Sequence, residues 1–166
     1  MADRLRPSRI GFKAIGVIHT PFDRLEGMPI QPAGAAGVEG RVEVFPRYGP
    51  GLRDLDGFSH VILIYHLHMS RGYDLEVVPY MDTELRGLFS TRAPRRPNPI
   101  GLSIVELSRV DGCALHVRNV DMLDGTPLLD IKPYVPGFDE AGGVRTGWLE
   151  KTARRASRQC SDGRFA

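Results

Sequence analysis

Between residues 38 and 44 the chain alternates strictly: Val38, Gly40, Val42 and Val44 take turns with Glu39, Arg41 and Glu43. That is the period-two pattern of a half-buried antiparallel strand. Residues 59–68 are apolar on both faces at first and acquire His66 and His68 only at the far end, which predicts a strand covered on both sides. Residues 102–110 and 114–120 form two further apolar runs around Asp111-Gly112, a hairpin signal because both residues tolerate positive φ. A second turn, Asp124-Gly125-Thr126-Pro127, precedes a run over 128–134, and Pro133 and Pro136 end it. β-Branched Ile15, Val17 and Ile18 predict a strand within 11–21, residues 75–80 another, and residues 52–55 a short helical turn. Six or seven short strands with little helical periodicity predict a mainly β fold, a single-domain antiparallel barrel, closed or nearly so, with short helices.

Domain organisation follows from where this pattern stops. Residues 10–140 carry the strand signals, and residues 141–166 read as a Gly- and Arg-rich basic C-terminal tail with Trp148 as its anchor. The net charge of +2 hides an asymmetry: the body carries 13 Lys and Arg against 17 Asp and Glu, while the two ends together carry 9 against 3. Such ends attract a polyanion without specificity, or simply keep the protein soluble. The longest apolar run, residues 61–65, is far too short to cross a bilayer, and the first residues lack a signal-peptide core. A cytoplasmic protein is therefore expected. Cys113 and Cys160 belong to no CxxC pair, and neither a disulfide framework nor a metal site is indicated. His66 and His68 share one strand face, yet lack an accompanying carboxylate or cysteine in a ligand pattern.

Residues 89–103, Phe-Ser-Thr-Arg-Ala-Pro-Arg-Arg-Pro-Asn-Pro-Ile-Gly-Leu-Ser, depart from any periodicity. Pro94, Pro97 and Pro99 fix φ, withhold donors and push their predecessors towards extended backbone. The result is a stiff loop presenting Thr91, Arg92, Arg95, Arg96 and Asn98, suited to an anionic or planar ligand. No acid interrupts its arginines, whereas solvated loops usually mix their signs. Asn98 either holds its own loop in shape or contacts the ligand. The chain has no P-loop, no Gly-x-Ser-x-Gly and no HExxH, and the glycines at 34, 37 and 40 lead into a strand rather than a helix. A nucleoside cofactor would thus be bound without a Rossmann fold.

Four stretches taken together resemble the TsaA-like (TrmO) family: Ile-Gly-Val-Ile-His-Thr-Pro-Phe at 15–22, Phe-Ser-His at 58–60, Phe-Ser-Thr-Arg with Arg-Pro-Asn-Pro-Ile-Gly-Leu-Ser at 89–103, and Asp-Gly-Thr-Pro-Leu-Leu-Asp-Ile-Lys-Pro-Tyr at 124–134. They fall in order and cover nearly the whole folded part. The resemblance implies a β-barrel that binds S-adenosylmethionine, a homodimer with sites near the interface, and methyl transfer to N6 of threonylcarbamoyladenosine beside the tRNA anticodon. It places cofactor contacts at Gln31, Pro32, Ala33, His68, Arg92 and Leu102, and at the turn Asp124, Gly125, Thr126 and Pro127. Arg95, Arg96 and Lys132 would hold tRNA phosphates or the threonyl carboxylate, where arginine geometry is an advantage. The methyl group already sits on a sulfonium, so the protein must supply positioning, desolvation and a route for one proton. Asp124 and Tyr134, with Asp130, are the candidates for that proton. Longer family members carry a further C-terminal domain that helps with tRNA, a part the basic ends would partly take over. Two other readings use the same residues: an S-adenosylmethionine-binding sensor or adaptor without transfer activity, and a methyltransferase for a different acceptor.

Overall fold

The computed structural model describes residues 10–151 and 158–165. Six strands close into an antiparallel barrel: β1 (Gly16–His19), β2 (Glu39–Val44), β3 (His60–His66), β6 (Ile100–Asp111), β7 (Ala114–Arg118) and β8 (Thr126–Pro133). Their order around the barrel is β1-β2-β7-β6-β3-β8, and β8 returns to β1 through the pairs Gly16–Leu128 and Ile18–Thr126. Two-residue strands β4 (Glu76–Val77) and β5 (Arg86–Gly87) pair with each other outside it. The run at 75–80 is thus far shorter as a strand than its sequence predicts, because it has only Arg86 and Gly87 as partners. One α-helical turn, α1 (Pro136–Asp139), follows the barrel, and the other helical pieces among the described residues are 3₁₀ turns; two of them, 46–52 and 55–57, flank the helical turn expected at 52–55, which is interrupted by Asp54 at φ +67°. Among the described residues no helix is long and apolar enough to cross a membrane.

Alternation explains the core. Ile18, Val42, Val44, Val61, Leu63, Tyr65, Val105, Leu107, Leu115, Val117 and Leu128 point inward and are buried, one from every second position of its strand. β3 corrects the expectation of a strand covered on both sides. Val61, Leu63 and Tyr65 are inside, while Ile62 and Ile64 face outward and are only half-buried. They pair with outward Ile104 and Leu102 of β6, so the barrel carries an apolar strip on its outer surface. The hairpin between β6 and β7 also turns one residue later than predicted. Asp111 pairs with Ala114, and Gly112 alone of the expected pair takes positive φ, +59°.

A second, smaller core of Val77, Leu88, Ala93 and Phe165, with Tyr80 against it, forms beside one end of the barrel. It brings the proline-rich loop and the C-terminal segment together. Trp148 Nε1 donates to the Ser90 carbonyl at 2.9 Å, and Arg164 Nη1 donates to that of Pro79 at 2.9 Å. Residue 161 knits the same segment to the loop before β2: Ser161 N donates to Met28 O at 2.7 Å and Gly27 N to Ser161 O at 3.0 Å. The gap between the two cores is the cavity described next.

Candidate active site

Each wall of the cavity is shaped by a local constraint. The loop before β2 is held by Asn119, whose Oδ1 accepts from Gly37 N at 2.9 Å and whose own N–H donates to Val38 O at 2.8 Å. Asn119 takes φ +67°, a conformation Asn tolerates better than most side chains. In the proline-rich loop, buried Thr91 donates to Leu88 O at 2.8 Å and accepts from Ala93 N at 3.2 Å. Arg96 Nη1 donates back to the carbonyls of Thr91 and Ala93 at 3.0 and 3.3 Å. Leu67 N reaches Pro99 O at 2.8 Å, docking the loop onto the end of β3. Prolines stiffen the loop, and these bonds choose its shape.

The enclosed space is about 690 Å³. Gln31, His68, Arg92, Leu102 and Thr126 all line it, although they come from five separate parts of the chain. Pro32, Asp124, Gly125 and Pro127 do not line it but adjoin residues that do, and Ala33 is one residue further away. Asp124 is instead engaged at the end of β1, where Oδ1 accepts from Thr20 N at 3.2 Å and lies 3.2 Å from His19 Nδ1. Gly125 takes φ +73°, giving the turn its direction.

The remaining sequence candidates are not brought to the cavity or are already engaged. Tyr134 donates to Glu140 Oε1 at 2.9 Å, and its N–H bonds to His60 O at the start of β3. The cavity is at the other end of that strand, about 20 Å away at roughly 3.3 Å per residue. Asp130 and Lys132 form an ion pair at 2.8 Å on β8, and neither lines the cavity. Arg95 turns towards Asp74, 3.9 Å away, in a separate acidic depression. Arg96 does line the cavity, but its guanidinium is committed to the carbonyls of its own loop.

The floor holds a polar chain in which only Ser103, the last residue of the 89–103 stretch, belongs to a motif. Tyr65 on β3 pairs with Gly101 on β6, and a Cβ at 101 would overlap the tyrosine ring. Glycine lets the ring lie flat and reach diagonally to Ser103, with the two hydroxyl oxygens 2.9 Å apart. Ser103 Oγ donates to Asp121 Oδ1 at 2.6 Å. Ser103 has one proton to give, so Tyr65 donates to Ser103 and the bonds run in one direction towards the carboxylate. Burial pushes the Asp121 carboxyl up to about 6, opposed by the Ser103 bond and by the positive charge of Arg92. Burial also raises the Tyr65 phenol well above its usual range, keeping it protonated. His68, 3.4 Å from Thr126 Oγ1, is lowered by burial and then by neighbouring His66. Sequence reasoning missed Asp121, whose one signal is an acid set between apolar Val120 and Met122.

A non-Rossmann antiparallel barrel with a nucleoside-sized, partly apolar cavity at one end has the form of a small-ligand-binding domain. Residues 17–140 match the family model for the tRNA-methyltransferase O N-terminal domain, and the chain belongs to that family, TrmO. A probable S-adenosyl-L-methionine-binding protein of Pyrococcus abyssi is 53% identical over 159 residues, covering 96% of this chain and 86% of that protein. The tRNA (adenine(37)-N6)-methyltransferase of Escherichia coli is 37% identical over 139 residues, covering 78% of this chain and 59% of the relative. The crystal structure of TrmO from Pseudomonas aeruginosa superposes with a TM-score of 0.71 at 34% identity, covering 84% of this chain and 62% of that one. The barrel is the one expected from the sequence.

Proposed function

We propose that this protein is an S-adenosylmethionine-dependent tRNA methyltransferase of the cytoplasm that methylates N6 of threonylcarbamoyladenosine beside the anticodon. The observation that carries the reading is the convergence of Gln31, His68, Arg92, Leu102 and Thr126 on one cavity of about 690 Å³. That volume lies within the roughly 300–1,000 Å³ of small-molecule sites. The wall chemistry fits the cofactor: apolar Leu102, Ile100 and Met122 suit an adenine face. The Arg92 guanidinium has no acid at ion-pair distance among the described residues and suits a carboxylate. When bound, S-adenosylmethionine supplies an electrophilic methyl group on sulfur. The chain's own residues orient the two partners and exclude water, with Gln31 holding Arg92 in place and the proline-rich loop fixing the distance between cofactor and acceptor. Pro32, Ala33, Asp124, Gly125 and Pro127 frame the same mouth and complete the cofactor cradle. Arg95 and Lys132 serve the tRNA backbone, while Arg96 keeps the loop in the shape that tRNA meets.

The outer strip supports a homodimer. Ile62, Ile64, Leu102 and Ile104 form neighbouring outward positions on β3 and β6, and Leu102 is 52% exposed. An apolar strip continuous with the cavity is a surface that a second copy would cover, placing its edge beside the site.

The test is transfer of labelled methyl from S-adenosylmethionine to total tRNA from cells with and without the threonylcarbamoyl modification, followed by nucleoside mass analysis. Label confined to the modified adenosine is the expected result. Label on both pools replaces the acceptor, and cofactor binding with no labelled RNA turns the reading to a sensor or adaptor, for which the name of the Pyrococcus relative speaks.

A further inference from the structure

Methylation of N6 must release that nitrogen's proton, and the acceptor has to face the cavity. Two carboxylates do so among the described residues, Asp121 and Asp162. Asp162 is held by Arg164 through a fork, Nε to Oδ1 at 2.9 Å and Nη2 to Oδ2 at 2.7 Å. The Arg164 hydrogen bonds hold its carboxyl below the usual range, so it is a poor base. Asp121 has the opposite environment. Among the described residues it carries a single side-chain donor, Ser103, and burial makes its carboxylate more basic than an ordinary one. The other ionisable groups around the cavity are Tyr65 and His68 at the end of β3, Arg92 and Arg96 from the proline-rich loop, and Tyr80 on the far wall. Tyr65 stays neutral and burial favours the neutral form of His68, so the groups that favour the Asp121 carboxylate are the Ser103 hydroxyl first, then its own backbone N–H, with the charge of Arg92 a smaller contribution.

We infer that Asp121 is the catalytic base of the proposed transfer, accepting the N6 proton directly, with Ser103 and Tyr65 as positioning residues that fix its carboxylate at the cavity floor. The inference rests on the methyltransferase reading above. As the N6 lone pair forms the new N–C bond, the S–C bond breaks with its electron pair left on sulfur, and Asp121 takes up the proton. The positive charge that entered on the sulfonium leaves as that proton, passed afterwards from Asp121 to water. A base whose pKa lies near the working pH is suited to this step, because it is ionised beforehand and still attracts a proton.

The experiment compares wild type, Asp121→Asn and Ser103→Ala by three readouts: S-adenosylmethionine affinity by calorimetry, single-turnover methyl transfer across pH, and titration of the Asp121 carboxyl by carbon-detected NMR. Wild type is expected to titrate at Asp121 near about 6, with a transfer rate that rises through the same midpoint. Asp121→Asn keeps cofactor affinity and loses transfer by about 100-fold or more, with no pH limb left. Ser103→Ala removes a bond to the ionised carboxylate, so both the NMR midpoint and the rate limb move together to higher pH. If Asp121→Asn loses the cofactor as well, Asp121 is a ligand and not the base. If it retains the rate and the limb, the proton leaves by another route. A wild-type protein that transfers no methyl to any tRNA overturns the functional reading, and the base assignment with it. A wild type that transfers while the variants match it overturns the base assignment alone.

Discussion

Arg92 donates from Nη1 to Gln31 Oε1 at 2.9 Å, joining across the mouth of the cavity two loops that lie 61 residues apart in sequence. Neither loop is a regular element, and each is stiffened by its own means, the Asn119 clamp on one side and three prolines on the other. The bond therefore links two pre-formed walls at little further cost in conformational entropy. Replacing Arg92 with alanine should leave the barrel folded and weaken S-adenosylmethionine binding by roughly 10-fold, the low end for a charged hydrogen bond because the side chain is exposed. Calorimetry on the variant measures it, and unchanged affinity removes Arg92 from the cofactor site.

Asp121 should be visible in stability as well as in catalysis. Its carboxyl is raised to about 6 in the folded protein, from an ordinary value when unfolded. The folded state therefore binds the proton more tightly, and stability declines as pH rises from about 4 to about 6. A displacement of that size is worth about 3 kcal/mol at most. Asp121→Asn abolishes that cost, so its midpoint in urea should exceed that of wild type at about pH 8 and match it at about pH 4. Equal curves at both pH values mean that burial is not what sets this carboxyl. A residue that weakens the fold where the protein works is a common sign of a functional group.

Close packing of a ring on glycine makes Gly101 the most sensitive point of the floor. A methyl group there has to push Tyr65 aside, since the two residues are direct cross-strand partners. Overpacking of this kind typically costs about 1–3 kcal/mol. Gly101→Ala should lower the melting temperature and also displace the Tyr65 hydroxyl from Ser103, so that the Asp121 midpoint moves. A melting temperature equal to that of wild type shows that the ring accommodates the methyl group.

How much of this was legible in the sequence depends on which physical signal each part leaves. β2 and the β6–β7 hairpin write their burial directly as alternation, so Val42 and Val44, or Leu115 and Val117, could be assigned to the core from the sequence. β3 could not be read as fully. A strand covered on both faces and a strand with an apolar outer strip give the same continuous run, and only the closed barrel separates Val61 and Leu63 inside from Ile62 and Ile64 outside. Motifs mark most of the cavity wall, but of the polar chain on its floor they contain Ser103 alone. Tyr65, Ser103 and Asp121 lie on three different segments; the register of β3 on β6 brings the first two together and the connection between β7 and β8 delivers the third, long-range placements that no local pattern encodes.

The outer strip gives a direct prediction about assembly. Ile104 lies on β6 opposite Ile62, faces away from the core and does not line the cavity. Sedimentation of the wild type should report a dimer, and Ile104→Glu should sediment as a folded monomer, because a charge buried at the centre of an apolar interface is costly to desolvate. A monomeric wild type rejects the homodimer outright.

Phe165 tests whether the C-terminal segment is part of the site. Its ring is buried and meets Tyr80 edge-on, with centroids 5.0 Å apart, and both residues line the cavity. Arg164 stacks over the same tyrosine while bonding to Pro79, so the segment is held by packing and by charge. Truncating the ring removes the largest apolar group of the smaller core, at a cost of about 3 kcal/mol. The main barrel does not share that core. Phe165→Ala should therefore leave the barrel's cooperative melting largely unchanged, yet raise hydrogen exchange at Gly27, Met28 and Ser161 and weaken cofactor binding several-fold. If exchange rises and affinity does not change, the segment covers the cavity without shaping the ligand site. If neither changes, Phe165 contributes nothing to that wall.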